Sequence, residues 1–202
     1  MVTLDDLRAA LAENGSLTEH GWLAGAVALV AADPGAIGGL FPAAGRRCGR
    51  GPLPALPGWT VDQAARALLL AALPSELLAD EVEAVYRYGD AAEKLAVLKA
   101  LPLLPLGDAA VVLLHDALRT NDTRLVAAAL GPYATRLDDA AWRQGVLKCV
   151  FMGVPLKNVH GVPERADARL AAMLDAFARE RRAAGREVPA DALAVLEQVK
   201  EG

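Results

Sequence analysis

Residues 91–130 read AAEKLAVLKALPLLPLGDAAVVLLHDALRTNDTRLVAAAL. Three short runs of Ala, Leu and Val, at 91–101, 108–119 and 123–130, are separated by PLLPLG at 102–107 and TND at 120–122. Ala and Leu head the helix scale, and Pro, Gly and Asn-Asp punctuate the chain, so this stretch reads as short helices folded back on one another. Antiparallel pairs of this length predict an all-α, irregular multi-helix bundle, HEAT-like or solenoid-like in layering but with no strict repeat. The whole chain agrees: of its 202 residues 43 are Ala and 33 Leu, one is Ile, and 4% are aromatic. Such a composition has too few strand-favouring residues for a sandwich or barrel and too much apolar material for disorder.

Helix signals extend outward from this centre. Thr3-Leu4-Asp5-Asp6 starts a helix that ends near Asn14-Gly15. Ser16-Leu17-Thr18-Glu19 has capping-box spacing and predicts a helix over about 17–32. Residues 33–59 are dense in Gly and Pro and read as one long loop. Thr60-Val61-Asp62-Gln63 is a second capping box opening a helix to Leu73, and Pro74-Ser75-Glu76 opens another to Tyr88. Later helices are expected from Asp138 to Met152, from Pro163 to about Ala184, and from Pro189 to about Lys200. No linker divides the chain, so residues 1–202 read as a single domain.

The longest uncharged apolar stretch, Gly21 to Ala32, would span roughly 18 Å as a helix, short of the ~30 Å hydrocarbon core. Met1 to Asp6 lacks the basic start of a secretory signal. A soluble, cytoplasmic protein is expected, with contact to a membrane-bound partner left open. Cys48 and Cys149, about a hundred residues apart, match no metal-ligand spacing or CxxC pair, and a reducing compartment suits them. A net charge of −4 argues against nucleic acid.

That net charge hides an asymmetry. Between Arg143 and Arg186 nine Lys/Arg face four Asp/Glu, residues 34–61 carry Arg46, Arg47 and Arg50 with no acid, and Glu76, Asp80, Glu81 and Glu83 supply opposing charge. Segregation of this kind can build a cleft for an anion or an acidic partner, or can be a solvated surface. In the nearly all-apolar helix 138–152, Arg143, Gln144 and Lys148 need explaining. An enclosed cation requires a carboxylate, a carbonyl or a ligand anion, although a lysine can also snorkel to the surface. Arg165 and Arg169, four apart, would share one helix face as an anion site. Arg179 to Arg182 suit the negative end of a helix dipole, and Arg186 follows Gly185, a C′ glycine.

His20, His115 and His160 are widely separated and offer no metal spacing; His160 lies in an irregular connection, where binding groups often sit. Cys48 among three arginines could have a lowered thiol pKa. No nucleophile elbow, phosphate loop or dinucleotide fingerprint occurs, and neither a cofactor nor a metal is expected. The candidate ligand- or partner-binding residues are therefore Arg46, Arg47, Arg143, Lys148, His160, Arg165, Arg169 and Arg186.

An ordered set of motifs runs through the second half. It includes Leu103-Leu104-Pro105-Leu106-Gly107, Asp116 to Asn121, Gly131-Pro132-Tyr133-Ala134, Trp142-Arg143-Gln144, Val146 to Leu156, Glu164-Arg165-Ala166 and Ala183 to Arg186. Over about residues 60–186 the chain resembles the EboA family of bacterial metabolite-traffic proteins. Before residue 60 only the Arg46-Arg47 segment leading to Ala64-Ala65-Arg66 is similar. The resemblance implies a small gene cluster with a TatD-like hydrolase, a UbiA-like prenyltransferase, a sugar-cyclase-like protein and a TIM-barrel isomerase-like protein, serving secondary-metabolite precursors bound for the periplasm. It supplies no catalytic residues. Gly145 stands where the family pattern has a bulkier polar residue. The expected role is an accessory protein binding a small anionic metabolite or another protein of the cluster. The alternatives are an enzyme acting on a phosphorylated or prenylated intermediate, and a purely structural helical adaptor.

Overall fold

The computed structural model describes residues 2–18 and 21–201. Twelve α-helices and four short 3-10 turns follow one another in that span, and the strand-like pairing among the described residues is an isolated bridge between Pro52 and Thr60. The all-α expectation holds. The chain divides into two compact units, Met1–Leu113 and Leu114–Gly202, and each is described by itself.

In the first unit α1 (Leu4–Glu13) is capped by Thr3, whose hydroxyl accepts the Asp6 N–H at 3.1 Å while Asp6 accepts the Thr3 N–H at 2.8 Å. It ends on Gly15 at φ 73°, with the Gly15 N–H donated to Ala12 O and the Ser16 N–H to Leu11 O. This closure uses Ser16 as the end of one helix, so α2 starts at Trp22 and runs to Ala32 instead of starting near residue 17. Glu19 of the expected capping box and His20 lie outside the described residues.

The span read as a Gly/Pro-rich loop at 33–59 holds a helix, α3 (Ile37–Arg47), entered through a 3-10 turn at Pro34–Ala36. Gly38, Gly39 and Pro42 weaken its local propensity, and Pro42 has no N–H to donate. Burial of Ile37, Phe41, Ala44 and Gly45, one face at helical spacing, stabilises it nonetheless. The remaining loop closes on itself: Leu53 N–H bonds Trp59 O at 2.9 Å, and Val61 N–H bonds Gly51 O at 2.9 Å.

α4 (Val61–Ala71) is the axis of this unit. It packs against α1, α2, α3 and α6 (Ala91–Ala100), and every residue from Val61 to Leu70 except Gln63 is buried. Ala64, Ala65 and Ala67 let neighbours approach, while Leu68, Leu69 and Leu70 each contribute about 2 kcal/mol of burial. α5 (Ser75–Tyr88) follows Pro74 as expected and packs against α3 and α6.

The dividing line falls within α7 (Val111–Arg119), which starts at Val111 and not at Asp108 because Gly107, at φ 53°, leads into a turn there. In the second unit α8 (Thr123–Ala129) packs on α9 (Asp139–Met152), and α9 packs on α11 (Ala168–Ala183). α12 (Ala190–Glu201) lies against α11 and against the four-residue α10 (Val162–Arg165). Asp138 caps α9 through a 2.7 Å bond from Ala141 N–H, and Gly153, at φ 71°, ends it. The single long helix expected from Pro163 to Ala184 is broken at Ala166-Asp167. Asp167 serves as N-cap of α11, accepting Leu170 N–H at 2.9 Å, and a cap requires extended backbone there. Gly145 is buried, and a side chain there would meet the Leu130 methyls at 2.9 and 3.2 Å and a Leu118 methyl at 3.4 Å. Those two leucines fill the space a bulkier residue would need.

Candidate functional site

α9 ends in a closure in which Gly153 N–H reaches Val150 O and Val154 N–H reaches Cys149 O, turning the chain out of the helix. Pro155 then leads into a 3-10 turn at Leu156–Asn158, and Gly161, at φ 77°, turns the chain into α10. Two bonds pin this connection and a third pins the helix it enters. Leu156 N–H donates to Asp191 Oδ2 at 2.8 Å, His160 N–H donates to Leu130 O at 2.8 Å, and Gln198 Nε2 donates to Pro163 O at 3.0 Å.

Between this connection and the 3-10 turn at Pro132–Arg136 lies an open cleft of about 520 Å³. Its polar groups are Thr135, Lys157, Asn158, His160, Glu164 and Arg165. Lys157, Asn158 and His160 are exposed, and they stand on backbone held by buried Val159 and Leu156. One ammonium, one imidazole and one amide, carried by a pinned loop, can together bind a carboxylate, a phosphate or a carbonyl.

Arg165 borders the cleft, but both of its terminal nitrogens are engaged elsewhere. One terminal nitrogen bonds Ala134 O at 2.9 Å; the other bonds Leu137 O at 3.0 Å and Asp139 Oδ1 at 2.8 Å. The guanidinium also lies 4.7 Å from the centre of the buried Trp142 ring. Arg143 grips Asp167 with two nitrogens, at 2.9 and 2.5 Å, and comes within 3.8 Å of Asp139. That grip, with the Leu170 N–H bond, holds the Asp167 carboxyl below its ordinary value. Arg143 thus finds carboxylates, and Arg165 carbonyls and a carboxylate.

Of the remaining candidates, Arg169 is exposed in the first turn of α11, on a different helix from Arg165. Arg186 is exposed beyond α11, where Gly185 (φ 65°) and its own N–H to Arg181 O make the expected end closure. Lys148 is half-buried on α9. Arg46 and Arg47 belong to the first unit, exposed in the last turn of α3, where they complement the helix dipole. The structure therefore brings His160 and Arg165 to one cleft, together with Lys157 and Asn158, which the sequence reading did not single out.

The first unit holds a buried polar group that was also missed. Arg66, fully buried, donates to Asp62 Oδ2 at 2.5 Å and to Phe41 O at 3.1 Å, and approaches Glu93 Oε1 at 3.7 Å. The sequence signal was an acid and an arginine four apart in a helix whose other residues, Gln63 apart, are apolar. Close by, Cys48 has its thiol pushed up by burial and by Asp62, the opposite of the lowered value expected from its arginine neighbours. Arg46 and Arg47 are exposed, and Arg50 lies against Gly45, where a Cβ would meet its Nε at 2.7 Å. Burial likewise pushes the Cys149 thiol up to about 12.

Lys99 clasps the 51–60 loop: its ammonium donates to Gly58 O and to Gln63 Oε1 and sits 4.3 Å from the centre of the Trp59 ring. Burial lowers its pKa from 10.5 to about 8, opposed by Asp62. The folded chain therefore releases this proton near pH 8 and the unfolded chain near 10.5, so the group's contribution to stability rises with pH between those values. Denaturation of the wild type and of Lys99→Met at pH 7 and pH 10 should show the wild type gaining on the variant at the higher pH. A constant difference contradicts this assignment.

Among the described residues no three His, Cys, Asp or Glu gather as a metal site, and no helix is long and apolar enough to cross a membrane. Comparison with known families gives a match to the model described as metabolite traffic protein EboA over residues 50–197. No curated protein and no solved structure matches the chain. The match covers most of the chain and takes in α4 to α11 and the cleft, and on that basis the chain belongs to the EboA family.

Proposed function

We propose that this protein is a cytoplasmic accessory factor of secondary metabolism that binds a small anionic precursor in the cleft of its second unit during maturation or traffic. The observation that carries the reading is the pinned 155–161 connection, which presents Lys157, Asn158 and His160 to a volume of about 520 Å³. A metabolite-traffic family supports a metabolite as cargo. The match, over residues 50–197, runs through both units, which supports treating that span as one functional domain. Arg165 acts by holding the cleft wall at the 132–136 turn, and Arg143 ties α9 to the start of α11. Exposed Arg169 and Arg186, with half-buried Lys148, provide cationic surface for an acidic partner; Arg46 and Arg47 do so in the first unit.

Native mass spectrometry of the chain, purified after co-expression with the proteins encoded beside it, tests this. A one-to-one small-molecule adduct is expected, released by the cleft double variant Lys157→Glu/His160→Glu. A protein complex without an adduct would favour the adaptor reading, and turnover of the adduct would favour an enzyme.

A further inference from the structure

The cleft of the second unit is lined by a carboxylate as well as by its cations. Glu164, exposed in α10, borders it together with Lys157, Asn158 and His160. A Cβ at Gly161 would lie 3.6 Å from Arg165 Cδ and 4.0 Å from Glu164 Oε2, so the carboxylate stands beside the turn that follows His160. Among the described residues, the side chains of Lys157, Asn158, His160 and Glu164 enter no hydrogen bond or ion pair. Lys157 and Glu164 thus line one cleft with opposite charges that do not neutralise each other. Arg165 differs, because its terminal nitrogens are engaged by Ala134 O, Leu137 O and Asp139.

For a ligand that is only an anion, a free carboxylate in the lining is a repulsive element. For a ligand that also brings an ammonium group, the same carboxylate accepts a charge-assisted hydrogen bond. The balance at the other end matters too. A phosphate carries a charge of about −1.5 to −2 at pH 7, more than the free ammonium of Lys157 offsets, whereas a carboxylate matches it one to one. We infer that the cleft binds a zwitterion of the amino-acid class, its carboxylate on Lys157 and Asn158 and its ammonium on Glu164. This rests on the cleft as the ligand site proposed above, and it adds the chemical class of the ligand. Glu164 is then the residue that selects an amine-bearing acid over a plain one.

The test titrates the full chain with the unbranched ω-amino acids from glycine to 5-aminopentanoate, each against the acid that lacks the amine, and follows backbone amides by NMR. Shifts should concentrate at residues 157–165. At the chain length that spans the two charges, the amino acid should bind about fivefold more tightly than its acid, the upper range for an exposed charge pair. Glu164→Gln should remove that preference and leave the plain acid bound at least as well, since a repelling charge has gone. Glu180→Gln, an exposed acid on α11, should leave both series unchanged. Glu164 is exposed, so its variant should melt like the wild type. An amine preference at no length, with acid binding that Lys157→Gln abolishes, overturns the inference and keeps the cleft as an anion site. A preference that survives Glu164→Gln overturns it as well. Absence of shifts at 157–165 from either series overturns the cleft reading and this inference together.

Discussion

Arg66→Met is expected to destabilise the protein by about 3–5 kcal/mol, the usual result of removing one partner from a buried ion pair. Arg66 is fully buried and Asp62 is 4% exposed. Without the guanidinium, Asp62 loses its 2.5 Å donor and retains the Thr60 hydroxyl at 2.6 Å, and Phe41 O loses its 3.1 Å donor. The loss spreads beyond one contact because this arginine ties α4 to α3 through Phe41 and lies within 3.7 Å of Glu93 on α6. A thermal midpoint lower by roughly 10 °C or more should be visible by circular dichroism. Adding Asp62→Asn should recover part of it, since the uncompensated charge and not the lost volume carries most of the cost. A variant that melts within a degree or two of the wild type would show that Asp62 finds another partner.

Arg165→Met should cost about 3 kcal/mol and should act locally. Two charge-assisted bonds to carbonyls, one ion pair and a stack on Trp142 go together, and hydrogen bonds to charged groups are worth about 1.5–3 kcal/mol each before compensation. Ala134 O and Leu137 O belong to buried residues that then lack this donor. Amide exchange should accelerate at residues 134–139 and in α10, the two sides of the cleft, while α4 in the first unit keeps its protection. Uniform acceleration across the chain would mean that Arg165 supports global stability and has no special hold on the cleft.

Much of the architecture is legible because its boundaries rest on local chemistry. Thr3, Asp138, Gly153 and Gly185 each make the cap or closure that their residue type favours. What was not legible depends on tertiary packing. α3 forms against its own glycines and proline because Ile37 and Phe41 have a core to enter, and no local signal reports that core. The break at Ala166-Asp167 is decided by Arg143, 24 residues earlier, which makes an extended Asp167 useful as cap and counter-ion at once. The basic residues illustrate the same limit for the site. Arg143 draws attention in the sequence as an enclosed cation and Arg165 as half of an anion site with Arg169, and the structure supplies partners for both within the protein. His160 stands out in the sequence through its irregular connection, and the structure places it at the cleft. Lys157 and Asn158, on the same connection, carry no signal of their own until the pinning bonds place them beside it.

The central claim is that the cleft, and not the exposed arginines around α11, holds the metabolite. Adduct occupancy in native mass spectra of co-expressed protein measures this directly, comparing Lys157→Glu/His160→Glu with Arg169→Glu/Arg186→Glu. All four residues are exposed, so both chains should melt like the wild type. The account predicts that the first variant loses the adduct and the second retains it. An adduct retained by the cleft variant and lost by the α11 variant would contradict the account and move the site to the arginine surface.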